Sequence, residues 1–352
     1  MEGQPELVPV LEAHRFDESR LSRYLDQAGL LAGALRVQQF QGGQSNPTYL
    51  LESGERRYVL RKKPPGKVLP SAHQVDREYR VMKALGEHSD VPVPTMRALC
   101  EDDDVIGTSF YVMDFVPGRV FSEPLLECLP TDQQRRAVYE AMVDTLAKLH
   151  SVDYKAAGLE DFGRPQGYVA RQVKRWRAQY EASKTDDLPA MDNLIDWLEE
   201  HIPEDDSAAI AHGDFRMGNL LLAPDQPGVV AVLDWELATI GHPLADLAYF
   251  CLPYHLPHGI QGVRGLDGLD LSERGIPDER ALLERYCRGC GRDGISDWPV
   301  FLAFALFRTA AILQGVYARA LQGNASNRDA LEVGKRAGLM AERGWQIARM
   351  HQ

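Results

Sequence analysis

Between residues 209 and 236 the sequence sets two polar motifs either side of an apolar hairpin arm, and this order restricts the fold more than any other feature. HGDFRMGN (212–219) offers a carboxylate at Asp214 and, five residues on, an amide at Asn219. LLLAPD follows as one arm of a hairpin, and VVAVLDWE (229–236) brings a second carboxylate, Asp234, to the end of an apolar strand. Either motif alone reads as a tight turn or a capped strand end. Together they provide a base or positioning carboxylate at Asp214, then an amide oxygen and a carboxylate that can hold metal. Phosphoryl transfer uses these parts, because its catalysis is mainly positioning plus neutralisation of charge on phosphate oxygens.

The chain before this region alternates. A helical lead-in over 18–34 precedes the strand cores VQQF, TYLLES and RYVLRK, with Ser53-Gly54-Glu55 as a hairpin turn. Val75, Tyr79, Met82 and Leu85 fall at helical spacing in 71–86, with Gly86 as the end. PVPTMRALCEDDDVIGTSFYVMDFVPG then reads as strand, acidic turn and strand. Beyond Gly118 the chain is mostly helical: in DQQRRAVYEAMVDTLAKLH, residues Val138, Met142, Leu146 and Leu149 share one face. The pattern predicts an α+β, two-lobed chain. Residues 1–117 form a sheet with one bracing helix, and residues 118–352 a helical lobe holding the polar motifs.

The 352 residues suit two lobes better than one core. A net charge of −12 argues against nucleic acid or an anionic membrane as the main partner. The first twenty residues carry no signal-like apolar run, and five scattered cysteines suit a reducing cytoplasm. Cys287 and Cys290 form a lone CxxC, which reads as two thiols in or beside a helix. The most apolar segment, 298–320, is interrupted by Arg308, Gln314 and Arg319 and reads as a buried helix.

In the first lobe, QGGQSNPTY (41–49) lies between two strands, where a glycine turn can aim backbone N–H groups at phosphate oxygens. VLRKK (59–63) closes a strand with basic residues. Alternation places Arg61 and Lys63 on one face with Val59, and Lys62 on the other.

Residues 212–219 and 234–246, with GHPLADLAYF (241–250), resemble the catalytic and metal motifs of the aminoglycoside phosphotransferase and choline kinase-like family, which has the protein-kinase fold. The likeness spans roughly residues 35–320. It implies an ATP- and Mg²⁺-dependent phosphotransferase with nucleotide bound in the cleft. Asp214 serves the acceptor hydroxyl, Asn219 and Asp234 hold the metal, and His212 and Asp246 support the catalytic loop. Gly42, Gly43, Gln44, Ser45 and Asn46 and a strand cation, Arg61 or alternatively Lys63, hold phosphates. Glu78 pairs with that cation, and the main chain of Asp114 and Val116 meets adenine. His-Gly-Asp and Asp-Trp-Glu, in place of His-Arg-Asp and Asp-Phe-Gly, point away from a protein kinase.

YVLRKKPPGKVLPSAHQVDREYRV, VIGTSFYVMDFVPGR and FALFRTAAILQGVYARALQGNAS are similar to the kinase-like domain fused to certain acyl-CoA dehydrogenases, and to its stand-alone bacterial relatives. That resemblance implies a hydroxyl on a coenzyme A-borne acyl chain as acceptor, with 61–67 and Arg308 as basic clusters for the coenzyme's phosphates. An aminoglycoside or choline/homoserine-type kinase, and a nucleotide-binding pseudokinase scaffold, are the alternatives.

Overall fold

The computed structural model describes residues 6–41, 46–64, 74–323 and 329–351. Its contacts divide the chain into two compact units. The first takes the chain up to Phe121 together with Val152–Leu159 and Met217–Ala238; the second takes Ser122–Ser151, Glu160–Arg216 and everything from Thr239.

The first unit is built on a sheet of β1 (Leu7–Val8), β2 (Leu35–Phe40), β3 (Thr48–Ser53), β4 (Arg56–Lys62), β5 (Met96–Cys100) and β6 (Phe110–Asp114). The strand order is β1-β2-β3-β4-β6-β5, antiparallel throughout. On one face lies α1 (Glu18–Gln27), started by Asp17, whose carboxylate accepts from the N–H groups of Ser19 and Arg20. Its Leu21 and Leu25 are buried with Tyr49, Tyr58, Leu60 and Phe110.

The helix expected to run to residue 34 stops at Gln27. Gly29 takes φ +70°, and Leu30 N–H donates to Leu25 C=O while Gly29 N–H donates to Asp26 C=O. This left-handed glycine closure satisfies the last carbonyls and turns the chain away. Helix α2 (Val75–His88) runs two residues past Gly86, its expected end. There the Ser89 hydroxyl and N–H both donate to Leu85 C=O, so the side chain supplies the stop. The acidic turn is in fact a single helical turn, α3 (Asp103–Ile106), because Asp102 accepts from Asp104 N–H and so caps it.

A small sheet completes this unit: β7 (Arg119–Val120) pairs with β9 (Leu220–Leu222), which pairs with β10 (Val229–Val232). A Cβ on Gly118 would lie 2.5 Å from Leu221 Cγ and 2.7 Å from Leu222 O, so only glycine permits this approach.

The second unit is helical around a two-stranded ribbon, β8 (Ala209–Ala211) with β11 (Thr239–Gly241). Its helices are α4 (Asp132–His150), α5 (Tyr168–Ser183), α6 (Pro189–Glu200), α7 (Pro243–His255), α8 (Glu279–Cys290), α9 (Trp298–Leu321), α10 (Ala330–Gly334) and α11 (Ala337–Met350). The α4 helix begins with a Thr131–Gln134 capping box. By length and composition α9 is apolar enough to cross a membrane, but 67% of its most apolar window is buried within the protein. Packing against α5, α6, α7 and α11 explains that apolarity, with Phe301, Phe304 and Phe307 almost fully enclosed. Cys287 and Cys290 sit one turn apart on α8, half-buried, with burial pushing both thiols up in pKa.

Candidate active site

In the first unit a charge network gathers on Arg61, near the end of β4. Its Nη2 donates to Asp234 Oδ1 at 2.7 Å and lies 3.7 Å from Glu236 Oε2. Its Nε is 3.2 Å from Glu78 Oε2 but outside hydrogen-bond alignment, so that contact is an ion pair only. Glu78, on the buried face of α2, is 1% exposed. It also accepts from Tyr111 Oη at 3.0 Å and from Asn46 Nδ2 at 2.9 Å. Burial pushes its carboxyl up to about 7, against the pull of Arg61 and the Tyr111 hydroxyl. Strand alternation sends Lys62 the other way: it is buried, its ammonium 5.8 Å from the Phe16 ring centroid, and burial lowers its pKa.

Asn219 and Asp234 stand at one end of the β9–β10 hairpin. Leu220 pairs with Val232, and Leu233 N–H donates to Asn219 C=O at 2.8 Å. Asp234 has φ +66°, a conformation costing roughly 1–2 kcal/mol for a residue with a side chain. The Trp235 indole N–H donates to Val232 C=O at 2.9 Å and pins the turn. Among the described residues no three His, Cys, Asp or Glu side chains cluster as a metal cage. One amide and one carboxylate fit Mg²⁺, which keeps several waters and takes its remaining ligands from substrate phosphates.

In the second unit the HGD loop is held through its backbone. Asp246, 2% exposed on α7, accepts from His212 N–H at 2.5 Å and Gly213 N–H at 2.8 Å, with His150 Nε2 3.5 Å away. Burial alone would raise this carboxyl, but His150, His212 and the Gly213 N–H hold it below the ordinary range. On the other side of Gly213, Arg308 Nη2 donates to its C=O at 2.5 Å. His212 Nδ1 accepts from Asp214 N–H at 3.2 Å. The Asp214 carboxylate then meets Arg216 Nε at 3.2 Å and the Tyr249 hydroxyl.

Arg61, Glu78, Asn46 and Asp234 thus meet as one network, and His212, Asp214 and Asp246 as another. Asp114 ends β6 with its N–H on Thr95 C=O and its carboxylate forked by Arg97 at 2.7 Å; Val116 follows two residues on. Gly42, Gly43, Gln44 and Ser45, and residues 65–67 of the basic loop, lie outside the described residues. Arg308, expected to offer charge to coenzyme A phosphates, is instead 8% exposed and committed to the HGD loop. Its neighbours Tyr249 and Trp176, with ring centroids 5.6 and 5.8 Å from its guanidinium carbon, carry no sequence signal beyond helical periodicity.

The profile of the phosphotransferase enzyme family matches residues 36–286. A solved Ralstonia eutropha protein named as a candidate aminoglycoside phosphotransferase is 46% identical, with a TM-score of 0.88 over 96% of this chain and 99% of that one. Spectinomycin phosphotransferase, solved with ADP and spectinomycin, shares the fold at 14% identity, with a TM-score of 0.61 over 93% of this chain and 97% of that one. The fold is therefore the kinase-like one of the aminoglycoside phosphotransferases, as the sequence predicts. Among curated proteins, mouse acyl-CoA dehydrogenase family member 10 is 45% identical over 98% of this chain and 32% of its own length. Human acyl-CoA dehydrogenase family member 11 is 43% identical over 99% of this chain and 45% of its own length. The chain spans less than half the length of either relative.

Proposed function

We propose, from the premise that this chain belongs to the phosphotransferase enzyme family, that it transfers the γ-phosphoryl group of ATP to a hydroxyl on a coenzyme A-borne acyl chain. The observation that carries the reading is the Arg61 guanidinium, shared between buried Glu78 and Asp234. A cation fixed from two sides is ready to fork onto phosphate oxygens, and nucleotide binding would draw it partly from Asp234. Mg²⁺, which Asn219 and Asp234 would hold, supplies neutralising charge for those oxygens. Asp214 orients the acceptor hydroxyl and takes its proton as the hydroxyl oxygen bonds to phosphorus. The bond to the β-phosphate oxygen breaks, and ADP leaves with the electron pair. Asp246 and Arg308 keep Asp214 in place by fixing Gly213, the residue before it, from both sides.

The acceptor class rests on the relatives, whose names place them among acyl-CoA dehydrogenases. The Ralstonia protein's name favours an aminoglycoside as the second reading. The deciding measurement is turnover at matched concentrations of a 4-hydroxyacyl-CoA, the free hydroxy acid and an aminoglycoside. Efficient use of the coenzyme A ester alone is expected; preference for the aminoglycoside would reject the acceptor class and leave the phosphotransferase standing.

A further inference from the structure

One face of α9 carries Arg308, Ala311, Ile312, Gly315, Ala318 and Arg319, at the three-, four- and seven-residue intervals of a helical stripe. Between this stripe and Trp176 on α5 runs a groove of about 460 Å³, within the roughly 300–1,000 Å³ usual for small-molecule sites. Ala311, Ile312, Gly315 and Ala318 give it an aliphatic wall, Gln179, Ser183 and Gln322 add polar groups, and no carboxylate lines it. Its walls are tied together, since the buried Gln314 amide donates to Ser183 C=O and Thr185 Oγ1, both at 2.9 Å. Trp176, which lines it, connects it to the catalytic loop: its ring centroid is 5.8 Å from the Arg308 guanidinium carbon, and Arg308 holds the carbonyl of Gly213, the residue before Asp214. Arg319 also lines it, roughly 16 Å along the helix axis from Arg308, with Gln322 beyond.

We propose that this groove receives the hydrocarbon tail of the acceptor beyond the hydroxyl that is phosphorylated, and that Gly315 sets how long a tail it takes. The assignment rests on the hydroxyacyl reading above. The aliphatic wall that α9 gives this groove suits methylene groups. A polycationic sugar would call for carboxylates that the groove lacks. Gly315 is the telling residue, because the fold does not require it. A Cβ there would meet only Arg319 Nη1, at an ordinary 3.5 Å, and glycine weakens the middle of a helix relative to alanine. What the missing side chain supplies is room in the groove.

The test uses 4-hydroxyacyl-CoA esters from five to eleven carbons. In the wild type, kcat/KM should rise by about fourfold per added methylene until the groove is full. The readout for variants is the ratio of the longest to the shortest acceptor, so that a general loss of activity cancels. Gly315→Leu should cut this ratio by at least about tenfold through bulk, and Ile312→Glu should do so by placing a carboxylate in the trough. A flat wild-type profile, or an unchanged ratio in both variants, would overturn the assignment. If the wild type turns over no coenzyme A ester, the acceptor reading fails, and calorimetric binding of free 4-hydroxyundecanoate judges the groove separately. Binding weakened tenfold by Gly315→Leu sustains the groove, and equal binding rejects it.

Discussion

The two polar clusters are held by different means. Around Arg61 the contacts run between charged side chains: β4 supplies the guanidinium, α2 Glu78, and the turn after β10 Asp234 and Glu236. Around Asp214 the loop is gripped by its main chain, with Asp246 on two successive N–H groups and Arg308 on a carbonyl. Side-chain ion pairs exchange partners when a phosphate arrives and respond to pH. A doubly clamped loop residue does neither, so the Asp214 carboxylate can be altered without moving the loop beneath it. One cluster is suited to adapt to a ligand, the other to hold a geometry.

The strongest way to break that contrast is Asp214→Asn. The clamp on Gly213 does not use this carboxylate, so the fold and nucleotide affinity should survive while phosphoryl transfer falls on the order of 10²–10⁴-fold. Single-turnover kinetics beside calorimetric nucleotide binding separates the two effects. Activity within a few-fold of wild type would remove Asp214 from its proposed role.

A smaller effect sharpens the other cluster. Arg61→Ala leaves Glu78 buried without its cation and removes the proposed phosphate fork, so kcat/KM for ATP should fall by roughly 10²-fold. Lys62→Ala acts on the opposite face of β4, beside Phe16, and should cost stability rather than ATP use. Equal, mild kinetic effects at both positions would mean that Arg61 is not the phosphate cation; a dominant effect at Lys63 would move the role two residues along.

The same contrast explains what was legible in the sequence. Alternation in VLRKK separated Arg61 from Lys62, and apolar VVAV before Asp234 marked a buried strand, because both signals are local. Helix ends at Gln27 and His88 were missed because a left-handed glycine and a serine side chain set them, while the periodicity ran on past one and stopped short of the other. Arg308 was misread for a deeper reason. A lone arginine in an apolar helix gives no hint that its partner is a backbone carbonyl 95 residues earlier in the chain. Tyr249 and Trp176 are in the same position, since a residue that acts through the fold leaves little mark on its own neighbours in sequence.

The least of these effects tests whether the Arg61 cluster responds to pH while the Asp214 cluster does not. Burial raises Glu78 from 4.5 to about 7. A group whose pKa is raised by folding lends its full stability below the unfolded value and loses it as pH climbs through the folded one. Between pH 4.5 and 7, then, Glu78 should cost the wild type up to about 3 kcal/mol of unfolding free energy. Glu78→Gln keeps the shape and an acceptor for Tyr111 but has no proton to lose. The wild type should therefore lose ground to this variant from pH 5 to 7 and hold a constant difference above it, as read from urea unfolding at each pH. Asp246, held low by its N–H donors and His150, stays ionised through this range, so an Asp246→Asn difference should be flat. A flat Glu78→Gln difference as well would mean that Arg61, at 3.2 Å, overcomes the burial penalty and keeps Glu78 charged, and both clusters would then be fixed alike.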